Sequence, residues 1–230
     1  AGSDQLARLA KLSSEIRDWH TRQTLPWSDT GTRLLPTSNL FDYKQRLGQY
    51  ETEFNNTVNE FLVDYPQIVT MMAYSLGRLF DRTEYPDADQ IRAKYGLRYT
   101  IMPVPESGDF RVDIADDIKA KMKSDYESAY EDRLGNAVGD AWSRLHVTLK
   151  HMVERLGGND KKIFRDSLID NALELTSLLT KLNITKDPKL ERARVELENS
   201  LIGVSAEDLR KSPGLRKEVV NKVSEIMGKF

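Results

Sequence analysis

The chain has 230 residues, no cysteine and a formal net charge of -2, from 34 Lys and Arg against 36 Asp and Glu. That length allows one substantial core, with one domain or a domain plus an arm, and the near-neutral balance excludes a protein that coats nucleic acid through bulk positive charge, leaving room only for a local basic face. The lack of cysteine excludes disulfides and thiolate chemistry and suits a reducing compartment, while no apolar run approaches the roughly 18–20 residues that span a bilayer.

Ala1-Gly2-Ser3 reads as a tag remnant, and no secretory leader is visible. From Asp4 to Arg22, Leu6, Leu9, Leu12, Ile16 and Trp19 recur at helical spacing and predict an amphipathic helix. Leu25 to Asn39 contains Pro26, Gly31 and Pro36 and reads as an irregular connector, with Trp27 either a plug over the core, the favoured reading, or a platform for base stacking. Thr37-Ser38-Asn39 supplies N-cap candidates for a helix to about Asp64, whose core face holds Leu40, Leu47, Phe54, Val58, Phe61 and Leu62. Tyr65-Pro66 predicts a break, followed by a central apolar helix from Ile68 to Phe80 and a short helix near Asp87 to Tyr95.

The clearest strand signal spans residues 95–114. Leu97, Tyr99 and Ile101 alternate with Arg98, Thr100 and Met102; beyond the Pro103–Gly108 turn, Phe110, Val112 and Ile114 alternate with Arg111 and Asp113. Period-two patterning around a Pro/Gly turn predicts an antiparallel hairpin, apolar on one face and bearing arginines on the other. A hairpin alone is marginal in water, so it is expected to lie on the helices between Leu40 and Phe80.

Asp116 to Leu156 reads as one long charged helix, with Ile118, Met122, Tyr126, Ala129 and Tyr130 on one side and Trp142, Leu145, Leu149, Met152 and Leu156 resuming the stripe. Gly157-Gly158 ends it, and Asn159 or Asp160 caps a return helix to Leu182 with a broad seam from Ile163. After Thr185 the composition turns more charged. Residues 185–230 are therefore expected as a helical arm beside a helical core of residues 1–184, and the arm and the seam are expected to supply contacts in a dimer or tetramer. The fold class is mainly α, a long-helix bundle with a small antiparallel hairpin and not an OB-fold.

Motifs for catalysis are missing from the sequence. It contains no phosphate-cradling G-x-x-x-x-G-K-S/T loop and no G-x-G-x-x-G. His146 and His151 stand about 140° apart on a helix, so they do not converge on a metal, and His20 is remote in sequence. Ser107 lacks the setting of a nucleophile elbow. Asp87/Asp89 and Asp116/Asp117 read as helix-terminal acids. The expectation is a protein that is not an enzyme and carries no cofactor or metal.

What remains is a set of basic residues interleaved with aromatics, the pairing that single-stranded nucleic acid requires for its phosphates and unstacked bases. Arg92, Lys94, Arg98, Arg111, Lys119, Lys121 and Lys123 form the expected cationic track, with Arg216, Lys217 and Lys222 of the arm closing over it. The alternative reading makes these solvated faces, neutralised by Asp109, Asp113, Asp116 and Asp117.

The run Asp64-Tyr65-Pro66, Leu76–Asp81 (LGRLFD), Tyr85-Pro86-Asp87, Lys94–Leu97 (KYGL) and Pro103–Val112 (PVPESGDFRV) resembles a phage and prophage family described as a domain of unknown function. Within it, the chain is similar to the single-stranded-DNA-binding RNA polymerase cofactors of lytic podoviruses that carry a virion RNA polymerase. The resemblance implies preferential binding of single-stranded DNA by a fold unlike OB-type binders, and recruitment of the phage RNA polymerase to melted promoters in the host cytoplasm. It names no DNA contact. The competing expectation is a phage helical adaptor that binds proteins and not nucleic acid.

Overall fold

A computed structural model describes residues 4–105, 107, 116–157 and 164–230. The protein is mainly α-helical: the described residues form eight α-helices and one two-stranded antiparallel hairpin, with no barrel among them. Contacts divide the chain into two compact units, Ala1–Arg22 with Leu40–Pro105 and Gln23–Asn39 with Glu106–Phe230.

In the first unit, α1 (Asp4–Gln23) lies antiparallel to α2 (Leu40–Leu76). Arg8 pairs with Glu60 at 2.6 Å, the Tyr50 hydroxyl donates to Glu15 at 3.1 Å, and the Trp19 ring stacks on Tyr43. The apolar stripe of α1 meets Tyr50, Phe54 and Val58 of α2, burying Leu9, Leu12 and Ile16 between them. A second cluster joins Phe61 and Tyr65 to Ile91 of α3 (Ala88–Arg92).

Two expectations fail in α2. The predicted break at Tyr65-Pro66 is absent, because proline removes one backbone donor while Tyr65, buried against Phe61, holds the turn in the core. The helix beyond Pro66 is also not central: Met71, Tyr74 and Leu79 are exposed, Tyr74 almost completely.

The second unit is built on α4 (Asp116–Leu156). Ala137, Ala141, Leu145, Leu149, Met152 and Leu156 form its buried stripe, covered by α5 (Ser167–Leu182), α6 (Pro188–Leu201), α7 (Ala206–Lys211) and α8 (Pro213–Lys229). Asp187 caps α6 through the Lys189 amide at 2.8 Å and accepts the Trp142 indole N–H at 3.0 Å. Arg194 is held between Glu191 at 2.7 Å and Glu198 at 2.8 Å, and the bond to Glu191 leads in raising its pKa.

The strand pairing falls in the connector read as irregular: β1 (Leu25–Pro26) pairs with β2 (Arg33–Leu34). Gly31, at φ 90°, makes the turn that a side chain would strain. Leu25 is fully buried on α4, Arg144 donates to the Thr24 carbonyl at 2.8 Å, and Asn39 links Gln23 to Lys181. Trp27 is half-buried and edge-on to Tyr130 at 5.4 Å, but it packs on none of the core clusters, so the expected plug is corrected.

The hairpin expected at 95–114 is corrected on its first arm. Gly96 to Pro105 carries no strand, because Leu97 turns into the core while Tyr99 and Ile101 face solvent, so the period-two face is not buried. Its second arm, Asn159, Asp160 and Ile163 lie outside the described residues. The boundary expected at 184/185 is corrected too. Leu190, Leu197, Leu201, Leu209, Val219, Val223 and Ile226 sit in one cluster with Leu145 and Leu179, so residues 185–230 complete a core and form no separate arm.

Candidate nucleic-acid interface

In the first unit the chain leaves α3 and runs back over the α1/α2 pair. The Tyr95 ring lies 6.5 Å from Phe54 and 6.3 Å from Phe61, and Leu97 packs on the cluster of Leu9, Leu12 and Ile16. These two anchors leave Arg98 and Tyr99 outward, with Tyr99 52% exposed. Gln90 to Pro105 contains Arg92, Lys94 and Arg98 and no carboxylate. Arg92 donates to the neutral Asn59 side chain at 2.6 Å.

Aromatic groups gather around the end of this path. Trp19 stacks on Tyr43 at 4.7 Å and meets Tyr50 edge-on at 5.3 Å; the Arg46 guanidinium lies 4.1 Å over the Tyr50 ring. His20 Nδ1 and the Tyr43 hydroxyl are 2.8 Å apart. Burial pushes the Tyr43 phenol up, and the neighbouring Tyr99 hydroxyl adds to the effect. Sequence reasoning missed Tyr43, Tyr50 and Arg46 as neighbours of the segment; the available signal was the seven-residue spacing of two tyrosines on one helix face.

The other predicted residues belong to the second unit, apart from Arg111, which lies outside the described residues. Lys119, Lys121 and Lys123 are exposed on the first turns of α4, where Lys123 faces Glu127 at 3.9 Å. Lys217 is exposed, Arg216 half-buried, and Lys222 pairs with Glu218 at 2.8 Å.

These two groups of cations do not converge. A Cβ at Gly157 would touch Val220 at 3.8 Å, while Phe230 lies 6.0 Å from Trp142, so α8 runs antiparallel along the second half of α4. Arg216 and Lys217 precede Val220 and therefore sit by the end of α4. Lys123 is about 50 Å from that end, at about 1.5 Å of rise per residue. The expected closure of α8 over Lys119, Lys121 and Lys123 is corrected: the buried stripe of Val219, Val223 and Ile226 fixes α8 elsewhere.

A groove of about 330 Å³ between α4, α6 and α8 is lined by Trp142, Leu149, Met227 and Phe230 and is predominantly apolar. No group of three or more His, Asp or Glu side chains able to hold a metal occurs among the described residues, and no described helix is long and apolar enough to cross a membrane. Comparison with protein-family models, curated proteins and solved structures returns no match.

Proposed function

We propose that the protein binds single-stranded DNA along Arg92–Pro105 and serves as a transcription cofactor that recruits a phage RNA polymerase to melted promoters in the host cell. The observation that carries the DNA reading is the exposed, acid-free segment in which Arg98 and Tyr99 are adjacent and outward over a rigid α1/α2 pair. Cations there meet phosphates, and Tyr99 offers a face to an unstacked base. The transcription role rests on the resemblance of the Asp64–Val112 run.

The test is a gel shift with labelled single-stranded and duplex oligonucleotides at two salt concentrations. Preference for the single strand is expected, with a log–log salt slope of about -2 if Arg92, Lys94 and Arg98 each neutralise a phosphate at about -0.7 apiece. R98A should reduce the slope by about 0.7, and Y99A should weaken binding by about 1–3 kcal/mol with the slope unchanged. No binding to either oligonucleotide would sink the reading. The exposed end of α2 and the turn after it, with Tyr74 at 94% and Leu79 at 84%, support the second reading, a helical adaptor that binds a protein partner.

A further inference from the structure

The apolar stripe of α4 runs the length of the helix, but only its second half is covered. Ala137 to Leu156 supplies the core, whereas no residue from Asp116 to Asn136 is buried, and Ile118, Met122 and Tyr130 are 51%, 38% and 37% exposed. Ile118, Met122, Tyr126, Ala129 and Tyr130 fall within one third of the helix circumference, and the Trp27 ring extends that face beside Tyr130. A helical stretch this long, containing Ser124, Asp125, Ser128 and Asp132, draws little from intrinsic propensity and is stable chiefly through packing.

We propose that this half of α4 pairs antiparallel with the same half of α4 in a second copy of the chain, forming a homodimer. The charge order along the helix selects that occupant and that direction. Asp116 and Asp117 open the helix, Lys119, Lys121 and Lys123 follow, then Asp125, Glu127, Glu131 and Asp132, with Arg133 after them. Parallel copies would bring lysines beside lysines and carboxylates beside carboxylates. Antiparallel copies with the two-fold near Tyr126 bring Lys121 of each chain beside Asp132 of the other and Lys123 beside Glu127, while Met122 packs on Tyr130; these opposite-charge pairs outnumber the one like-charge pair, Lys119 with Arg133, which parallel copies would multiply. The 3.9 Å contact of Lys123 with Glu127 in its own chain is solvent-exposed and weak, so it exchanges readily for the intermolecular one. Glu127 also accepts the Ser107 hydroxyl at 2.9 Å, which holds its carboxylate beside the stripe.

This pairing uses Lys121 and Lys123 for assembly and not for DNA, and it stands or falls independently of the DNA reading. The contact involves about five helical turns per chain, at the small end of specific interfaces, so the expected dissociation constant is on the order of 1–10 μM.

Sedimentation velocity of the full chain from about 1 to 100 μM tests it. The wild-type chain should pass from monomer to dimer over that range. The K121E/K123E chain and the E127K/D132K chain should each weaken dimerisation at least tenfold, with helical circular dichroism unchanged. Mixed in equal amounts, the two variants should restore the dimer, because opposite charges then face each other at both ends of the seam. A wild-type chain monomeric at 100 μM, a dimer indifferent to both variants, or a mixture that stays monomeric would each overturn the proposal.

Discussion

Leu197 of α6 decides whether the last 45 or so residues complete the core or stand apart from it. Its side chain is fully enclosed in the cluster with Leu145, Leu179 and Val223. Leu197→Ala removes three carbons, worth about 0.8 kcal/mol each, or about 2.4 kcal/mol of transfer free energy. Three elements meet there and cannot all collapse inward, so a cavity term raises the expected loss to about 3–4 kcal/mol. That is a large part of the roughly 5–15 kcal/mol by which domains are stable, and for a unit of this size it lowers Tm by about 10 °C. The assay is urea unfolding by fluorescence in a Trp19→Phe background, which leaves Trp27 and Trp142, both in the second unit. Trp142 reports on α6 directly because its indole N–H reaches Asp187. The control is Ile202→Ala, at a position 67% exposed, expected within about 0.5 kcal/mol of wild type. A loss under about 1 kcal/mol for Leu197→Ala, or a Trp142 transition that does not shift, would refute the shared core.

Asp187→Ala removes both the α6 cap and the partner of Trp142 and should cost about 1–2 kcal/mol at neutral pH by the same titration. Burial pushes the Asp187 carboxyl up, but the Lys189 amide, the Trp142 indole, the Leu190 amide and the Lys189 charge together outweigh it and hold the pKa below the ordinary value. A depressed folded pKa contributes stability that is complete above the unfolded value of about 3.9 and is lost as pH falls through the folded one. The gap between wild type and Asp187→Asn should therefore narrow in acid, and a constant gap from pH 7 to pH 2 would contradict this. Gly203→Ala should cost about 1–2 kcal/mol through backbone strain alone, since φ is 74° and no atom lies within 4 Å of the added carbon. Pro66→Ala restores a backbone donor inside α2 and should raise the melting temperature of the first unit; a drop would mean that the proline is structurally required.

The helices were legible because each carries a stripe at helical spacing and punctuation at its ends. Leu9, Leu12 and Ile16 are buried as their spacing requires, and Ser205 and Asp187 cap where short polar residues precede helical runs. The misreadings have a common physical origin. Period-two alternation at Leu97, Tyr99 and Ile101 carries no information about what faces the segment, and Tyr95 and Leu97 together anchor it without a strand partner. The short pairing of Leu25 with Leu34 has too few residues to alternate at all. The charged composition after Thr185 suggests an arm, yet Val219, Val223 and Ile226 only have to fill a gap beside α4 that sequence distance hides.

The candidate site was harder to read, because local charge density and available charge are different quantities. In α7 and α8, Lys211 faces Glu207 at 2.6 Å, Lys222 faces Glu218 at 2.8 Å and Lys229 faces Glu225 at 2.9 Å, each one helical turn away. A phosphate must displace those carboxylates, so these lysines attract a polyanion far less than their number suggests. Gln90 to Pro105 carries no carboxylate of its own, and among the described residues no ion pair holds Arg92, Lys94 or Arg98. The proposed DNA surface therefore comprises Arg92, Lys94 and Arg98, with Tyr99 among them, and not all ten basic residues. Cations without carboxylates in reach, not cations in number, are what a nucleic-acid backbone selects.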